Sequence, residues 1–269
     1  MASLSELREV RLEKLHQLES AGMNPFPVSV PRTHTLKQIT ELFADLETSG
    51  QSVSVTGRIT SLRGQGAILF MTLFDGTERF QVVLKKDTIE ENLFKLFTDA
   101  VDLGDIVSIT GTLFTTQKGT PSILATEWVM ATKALLPIPS EHYGIEDPDE
   151  KMRKRYLESI INPELFNRFI QRADIISYIR EFFTMKDFLE IETPILQNQA
   201  GGAMARTFAT YHNDYDMNMV MRISLELEHK MMMVAGYNRI FEIGKNFRNE
   251  GSDPTHIQEF TMMEWYAAY

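Results

Sequence analysis

Leucines recur at helical spacing between residues 4 and 18, so the sequence opens with a predicted helix. Gly22 and the Asn-Pro-Phe-Pro segment at 24–27 end this helix. A second, shorter helix is predicted over residues 36–46. Together these elements make residues 1–50 an N-terminal helical extension.

Hydrophobic and polar residues then alternate with period two, which predicts short strands. The alternating segments are 53–59, 67–73, 79–84, 106–113 and 122–130. A helix is predicted over residues 88–98, between the third and fourth strands. Five strands with a helix after the third are typical of an OB-fold barrel, although another kind of five-stranded barrel fits the same pattern. Residues 51–136 are interpreted as this domain.

Residues 137–155 are interpreted as a linker, because Pro137 and Pro139 restrict the backbone and the acidic run at 146–150 favours solvation. A second domain is predicted over residues 156–269. The elements predicted for it are a long helix at 162–184, a strand at 188–193, a helix at 224–235 with Ser224 as its N-cap, and two strands at 239–248 and 259–266. The chain is therefore of the α+β class.

Composition narrows the class of protein. Of the 269 residues 43% are hydrophobic, which is enough for two cores. Cysteine is absent, which excludes disulfides and thiolate zinc sites and favours a reducing cytoplasm. No apolar run approaches the roughly 20 residues of a membrane span. The net charge of −10 means that any nucleic-acid partner needs a local basic patch.

The predicted hairpin near the C-terminus carries the strongest chemical signal. Arg248 can hold a phosphate with two hydrogen bonds, and Phe260 can stack on a flat heterocycle. Glu250 can accept from an adenine amino group, and His256 can reach a terminal phosphate. The plainer alternatives are a surface salt bridge between Arg248 and Glu250, a core phenylalanine and a solvated histidine.

Other residues can hold an amine. Glu226 lies in the first turn of a predicted helix, where a carboxylate either captures an ammonium group or only favours the helix dipole. Glu264 and Tyr266 are two apart on a strand and share a face. Gly202, inside a Gly-Gly-Ala segment, allows a ligand close to the backbone or belongs to an ordinary loop.

The barrel has its own candidate set. An aromatic ring, an amide, a carboxylate and a guanidinium are the groups that recognise single-stranded RNA. These residues are Phe70, Gln81, Glu127 and Arg63. The alternatives are a core position for Phe70 and a solvated surface position for Glu127.

With these motifs in order, the chain resembles bacterial class II lysyl-tRNA synthetases from end to end. The segments that carry the resemblance are Gly-Thr-Leu-Phe at 111–114, Thr-Lys-Ala-Leu at 132–135, Arg-Tyr-Leu at 155–157, Gly-Gly-Ala at 201–203 and Arg-Thr-Phe at 206–208. Residues 162–194 resemble motif 1, the dimerisation element. Residues 247–251 with 259–264 resemble motif 2. Aspartyl and asparaginyl enzymes share the architecture but differ in motif 2.

The resemblance implies a partial class II catalytic domain with an antiparallel sheet behind an OB-fold anticodon-binding domain. In the ATP site, the resemblance assigns binding to Arg248, Glu250, His256 and Phe260, and it also assigns catalysis and binding of the lysine carboxylate to Arg248. The rest of the lysine substrate is assigned to Gly202, Glu226, Glu264 and Tyr266. The anticodon is assigned to Arg63, Phe70, Gln81 and Glu127. The implied reaction is ATP-dependent ligation of L-lysine to tRNA(Lys) through lysyl-adenylate, with Mg²⁺, in a cytoplasmic homodimer. A tRNA-binding module without ligase activity and an enzyme that lysylates a protein are the alternatives.

The sequence departs from the family pattern in two places. Thr207 replaces a proline, and Thr255, Ile257 and Gln258 replace the arginine, asparagine and proline expected beside His256. The chain also stops before motif 3 and before the family's metal-binding carboxylates. We therefore expect a fragment of a longer polypeptide that does not activate an amino acid efficiently by itself, with no metal ligands of its own.

Overall fold

The computed structural model describes residues 3–139 and 144–269. The chain divides into two compact units, the first ending at Phe166 and the second spanning Asn167–Tyr269. Positions 1–2 of the predicted N-terminal extension and positions 140–143 of the predicted linker lie outside the described residues.

The first unit begins with the predicted helices. They are α1 (Leu4–Ser20), α2 (Leu36–Glu41) and α3 (Phe43–Ser49). The Ser3 hydroxyl caps α1 by accepting a hydrogen bond from the amide of Glu6, and the Glu6 carboxylate accepts one from the Ser3 amide. The single helix predicted over 36–46 is split at Leu42, and Gly50 closes α3 in the left-handed conformation at φ 62°.

A closed barrel of five strands follows, in the order β1-β2-β3-β5-β4. The strands are β1 (Val53–Gln65), β2 (Ile68–Phe74), β3 (Arg79–Lys85), β4 (Ile106–Thr115) and β5 (Pro121–Thr132), with helix α4 (Glu91–Ala100) between β3 and β4. Phe97 of α4 packs edge-on against Trp128 of β5 at 5.1 Å between ring centroids. This arrangement confirms the predicted OB-fold layout.

A cluster of charged side chains ties α1 to the barrel. Lys133 is fully buried and places its ammonium 2.7 Å from Asp102 and 2.8 Å from Asp105. Lys14 of α1 reaches the same Asp102 at 2.6 Å, and Arg11 donates to the backbone carbonyl of Leu103 at 2.9 Å. The N-terminal helix is therefore held by ionic contacts as well as by its apolar face.

Part of the segment interpreted as a linker is helical. Helix α5 spans Pro148–Arg153 and helix α6 spans Arg155–Ile161. Asp147 caps α5 by accepting from the amide of Asp149 at 2.9 Å, and proline occupies the first turn. The acidic run that suggested a solvated linker is thus a helix N-terminus, where carboxylates favour the helix dipole.

Helix α7 (Pro163–Thr184) leads into the second unit, which holds helix α8 (Glu226–Val234) and two small sheets. One sheet has the order β11-β10-β6, from β11 (Glu259–Ala267), β10 (Arg239–Phe247) and β6 (Leu189–Glu190). The other has the order β7-β9-β8, from β7 (Leu196–Gln197), β9 (Met217–Met221) and β8 (Ala209–His212). Most of the strand pairs are antiparallel, which confirms the predicted α+β class.

Two local predictions are corrected by the structure, and three short strands were not predicted. The strand predicted at 188–193 is only the two residues of β6, although the Ile191 amide still donates to Phe241. Leu225 rather than Ser224 is the N-cap residue of α8, while the Ser224 hydroxyl accepts from the Glu226 amide at 3.2 Å. Strands β7, β8 and β9 were not predicted, because two to five residues are too short for a clear alternation.

Candidate functional site

The hairpin of β10 and β11 places the predicted ligand-binding residues on one face. Phe260 pairs with Asn246, Glu264 with Glu242, and Tyr266 with Ile240. Side chains two apart on a strand share a face, and so do residues opposite each other on paired strands. The sheet therefore forms a floor from Phe260 through Glu264 to Tyr266.

Arg248 and Phe260 lie at one end of this floor. The guanidinium carbon of Arg248 is 5.1 Å from the centroid of the Phe260 ring, within cation–π range. In the part of the chain that the structure describes, the Nε of Arg248 is buried and has no hydrogen-bond partner. A buried N–H without an acceptor is costly, so this geometry suits an anionic oxygen supplied by a ligand.

Glu250 bends back onto the neighbouring loop. One of its carboxylate oxygens accepts from the Arg206 amide at 3.3 Å, and the Arg206 carbonyl accepts from the Asn249 amide at 2.9 Å. Gln258 donates to the Glu250 carbonyl at 2.9 Å. The Arg206 segment and Gln258 therefore hold Glu250 in place, and no described contact joins Glu250 to the Arg248 side chain, as a surface salt bridge would.

His256 is held within its own exposed loop. Its Nδ1 lies 2.7 Å from a carboxylate oxygen of Asp253 and 3.0 Å from the Thr255 hydroxyl. Hydrogen bonds from Thr255, and then from His256, hold the pKa of the Asp253 carboxyl below its usual value. This contact engages Nδ1, so Nε2 of the same imidazole is the nitrogen that could meet a terminal phosphate.

The candidate amine site lies at the other end of the floor. Gly202 adopts φ +80°, and a Cβ there would lie 2.8 Å from the Glu226 Cβ and 2.9 Å from the Ser224 hydroxyl. That hydroxyl donates to Glu264 at 3.4 Å. The structure thus brings Gly202, Glu226 and Glu264 together, and only glycine fits at position 202.

Charge at this end already favours a cation. The ammonium of Lys230 lies 2.5 Å from Glu226, one helical turn away. Burial raises the pKa of Tyr266, and the nearby charges of Glu264 and Glu226 raise it further. The phenol therefore stays neutral over the physiological range and is available as a hydrogen-bond donor beside two carboxylates.

A buried ionic network on the same face of the hairpin, around Glu242, was missed by the sequence reasoning. The Arg222 guanidinium lies 2.8 Å from one carboxylate oxygen of Glu242, and the other oxygen accepts from Thr193 at 2.7 Å. The Nε2 of His229 lies 3.2 Å from Glu242, and its ring packs edge-on against Tyr266 at 5.3 Å. The network thus packs Arg222 and His229 against the same face of the hairpin that carries Glu264 and Tyr266.

Burial alone would raise the pKa of Glu242, but hydrogen bonds from His229 and Thr193 and the charge of Arg222 outweigh it, so the pKa lies below its usual value. The sequence signals this network only through Gly244, because every other residue of strand β10 carries a side chain. A Cβ at that position would be 2.3 Å from the Arg222 guanidinium, so the glycine makes room for the buried arginine.

In the barrel, three of the four predicted RNA-binding residues line one groove of about 660 Å³, namely Arg63, Phe70 and Gln81. Arg63 donates to the Gln81 amide oxygen at 3.3 Å, and the Gln81 nitrogen donates to the Ser122 hydroxyl at 2.8 Å. Glu127 is exposed on β5 opposite Thr110, beside a bulge, and is not part of the lining of this groove.

The part of the chain that the structure describes has neither a metal-binding cluster nor a membrane-spanning helix. Among the described residues there is no group of three or more His, Cys, Asp or Glu side chains arranged to hold a metal ion. None of the helices in the described ranges is long and apolar enough to cross a membrane.

Two family models match the chain. The model described as "tRNA synthetases class II (D, K and N)" matches residues 147–269, and the model described as "OB-fold nucleic acid binding domain" matches residues 53–131. The second match covers the barrel. The first covers α5 to α8 and both sheets of the second unit, including the hairpin of Arg248 and Phe260.

Curated relatives extend these matches over nearly the whole chain. A protein of Latilactobacillus sakei named lysine–tRNA ligase is 42% identical over 271 residues, which cover 99% of this chain and 54% of that protein. Lysine–tRNA ligases of Dehalococcoides mccartyi and Clostridium perfringens are 42% and 44% identical, with 98% and 99% of this chain covered and 53% of each relative. The chain spans about half the length of the curated relatives it matches.

Proposed function

We propose that the chain carries the anticodon-binding barrel and catalytic-domain residues of an ATP-dependent lysine–tRNA ligase of the class II tRNA synthetases. One observation carries the proposal. A buried Arg248 Nε with no hydrogen-bond partner among the described residues lies beside an aromatic ring, on the same sheet face as two carboxylates and a phenol. Such a face suits an anion and a flat base at one end and an amine at the other.

The proposed reaction has two steps. The carboxylate oxygen of lysine attacks the α-phosphorus of ATP, the bond to the β-phosphate oxygen breaks, and lysyl-adenylate and pyrophosphate form. A ribose hydroxyl at the 3′ end of tRNA(Lys) then attacks the lysyl carbonyl, loses its proton and releases AMP. Both steps depend on alignment and on neutralising charge that develops on phosphate oxygens, which needs no covalent bond to the protein.

Arg248 is the proposed catalytic residue. Its guanidinium can bridge the lysine carboxylate and the α-phosphate, because its planar fork donates several hydrogen bonds to oxygen anions. Phe260 is proposed to stack on adenine, and Glu250 to accept from the adenine amino group. His256 is proposed to meet the outer phosphates through Nε2, with Nδ1 held by Asp253.

Lysine is proposed to bind at the end of the floor that holds Glu226, Glu264 and Tyr266. Two carboxylates and a neutral phenol suit an ammonium group, and the Lys230–Glu226 ion pair shows that an alkylammonium fits against Glu226. The glycine at 202 leaves space for the ligand backbone. Substrate lysine must then compete with Lys230 for Glu226 or share it.

The barrel is proposed to bind the anticodon through Arg63, Phe70 and Gln81, with Glu127 acting from outside the groove. Residues 51–136 would form this anticodon-binding domain, and residues 156–269 part of the catalytic domain. Residues 1–50 would be an extension of the barrel and residues 137–155 the connection. The proposed place of action is the cytoplasm.

The family generally uses Mg²⁺ with ATP, where the ion screens the phosphates. Among the described residues there is no group of three or more His, Cys, Asp or Glu side chains that could hold the ion. We therefore assign no residue of this chain to Mg²⁺ and derive no step through it. Homodimerisation through α7 is proposed from the apolar side chains that this helix exposes, among them Phe169, Ile175 and Tyr178.

Lysine-dependent exchange of pyrophosphate into ATP tests the ligase proposal. Because this chain spans about half the length of its relatives, the assay uses the full-length protein, from which we expect exchange that requires lysine and stays at background with ornithine or arginine. Absence of exchange together with tight binding of tRNA(Lys) would overturn the ligase proposal and favour the tRNA-binding module. The tRNA-binding alternative is supported by Thr255 and Gln258, which differ from the family pattern. Their side chains donate hydrogen bonds to Asp253 and to the Glu250 carbonyl in the same loop.

A further inference from the structure

We propose that Phe114 forms a second base-stacking subsite of the barrel, at the opposite end of the groove from Phe70, with Lys85 and Lys118 facing the phosphate of the stacked nucleotide. The inference rests on the proposed binding of single-stranded RNA by this groove. It adds a subsite that the sequence reasoning did not assign. Phe114, Lys85 and Lys118 all line the same cavity of about 660 Å³ as Phe70 and Gln81.

Strand register places Phe114 in one row with the residues already described. Gln81 on β3 pairs with Ser122 on β5, and Ser122 pairs on its other side with Phe114 on β4. Residues opposite each other on paired strands have side chains on the same face. The Phe114 ring is therefore on the face that carries the Gln81 amide, two strands away.

The same register separates the two aromatic rings. Phe70 lies on β2, and the strand order places β3 and β5 between β2 and β4. Three steps between neighbouring strands, at about 4.8 Å each, separate them by roughly 14 Å along the sheet before curvature is considered. One base cannot cover both rings, so Phe114 serves a different nucleotide, with Gln81 between the two.

Alternation along β4 shows that Phe114 is not a core residue. Leu113 and Ile109 are buried and point into the barrel, whereas Phe114 is only half-buried. The ammonium of Lys85 lies 5.8 Å from the centroid of the Phe114 ring. A half-buried ring under a cation suits a stacked base with its phosphate nearby, because stacking and charge neutralisation then act on one nucleotide.

Local charge supports RNA as the occupant despite the net charge of −10. Among the residues that the structure describes, those lining the groove include Arg63, Lys85 and Lys118 and no acidic residue. Phosphate neutralisation by such cations makes binding depend on salt. The turn from Thr116 to Thr120 closes this end of the groove, in the position of the β4–β5 loop with which OB-folds bind oligonucleotides.

The test uses the full chain and an RNA hairpin with the anticodon loop of tRNA(Lys), in which 2-aminopurine replaces one loop nucleotide at a time. Stacking on an aromatic ring quenches the fluorescence of 2-aminopurine. We expect quenching at two separate loop positions, one lost in Phe70→Leu and the other lost in Phe114→Leu. Phe114→Leu should also weaken binding about 5- to 100-fold, the range typical of one stacked base.

Controls separate the inference from the function on which it rests. Phe26→Leu alters an exposed phenylalanine outside the groove and should leave binding unchanged. Phe114→Tyr keeps a ring and should retain the second quenched position. Lys85→Gln should reduce the slope of log K against log salt by about 0.7, the value of one phosphate contact on a single strand.

Each outcome decides between the two proposals. If the wild-type chain does not bind the hairpin and Phe70→Leu changes nothing, the proposed anticodon function fails. If Phe70→Leu weakens binding but the wild-type chain shows no second quenched position, only the Phe114 subsite is overturned. The wild-type measurement decides this even if Phe114→Leu fails to fold.

Discussion

The guanidinium of Arg248 lies over the ring of Phe260, 5.1 Å from guanidinium carbon to ring centroid. These are the two groups proposed for the phosphate and the adenine of one nucleotide, and they contact each other directly. A base that stacks on Phe260 must therefore share the ring with Arg248 or displace it. Because this contact is worth only about 0.5–1 kcal/mol at a partly exposed site, a charge-assisted bond to phosphate can readily replace it.

Arg248→Lys should weaken ATP binding about 10- to 100-fold, because lysine has no planar fork and hydrogen bonds to charged groups contribute about 1.5–3 kcal/mol. Isothermal titration with a non-hydrolysable ATP analogue measures the effect. Arg239→Lys, at the far end of the same strand, is the matched control, since its guanidinium donates only to the Lys186 carbonyl in the described contacts. Equal affinity of Arg248→Lys and wild type would remove Arg248 from the ATP site.

Glu226→Gln should weaken lysine binding about 10-fold, since a partly exposed carboxylate–ammonium contact is worth about 1 kcal/mol or somewhat more. Glu228→Gln is the control two residues along α8, where the carboxylate accepts from Gln197. Calorimetric titration of both variants with L-lysine separates a ligand contact from a helix-dipole effect. Equal losses in the two variants would support the dipole alone.

Glu242→Gln should lower the free energy of unfolding by about 3–5 kcal/mol at pH 7, because it leaves the buried Arg222 guanidinium without its carboxylate partner. The folded-state pKa of Glu242 is depressed, so its contribution is present above the unfolded carboxyl pKa, about 4.3, and is lost as pH falls through the folded value. Urea unfolding of wild type and variant should therefore converge in acid. A constant difference from pH 7 to pH 3 would contradict this account.

Lys133→Met should destabilise the barrel by about 3–5 kcal/mol, since it leaves buried Asp105 without its ammonium partner. Burial already raises the pKa of Asp105, and removing Lys133 should raise it further, so the loss of stability should grow as pH rises through that value. Lys14→Met, at a partly exposed ion pair with Asp102, should cost only about 1 kcal/mol or less. Similar melting temperatures for the two variants would show that burial of Lys133 has little energetic effect.

Helix α7 should mediate self-association of the chain. Light scattering should give a mass of twice 30.9 kDa for the wild type. Ile175→Glu combined with Phe182→Glu, on exposed apolar positions, should shift the mass to that of one chain, whereas Gln171→Glu on the same helix should not. A wild-type chain that is monomeric at high concentration would sink the proposed dimer.

The sequence by itself determined the elements whose residues form a clear local period. The alternation in residues 53–130 predicted the barrel strands, and the helical stripe after Asn162 predicted α7 within one residue of its observed bounds. The sequence also predicted that Arg248 and Phe260 lie at the two ends of one hairpin loop, and the pairing of β10 with β11 brings them together. These features depend on contacts between residues close in the chain.

Only the tertiary structure decided which distant side chains meet. Arg222 and Glu242 are 20 positions apart and Thr193 and Glu242 are 49 apart, so no local period predicts that they meet, and Gly244 signals only a close approach to its strand. The row from Gln81 through Ser122 to Phe114 likewise depends on strand order and register. Local periodicity shows which face of an element is apolar, but pairing across the chain is set by how the elements pack, which a single sequence does not display.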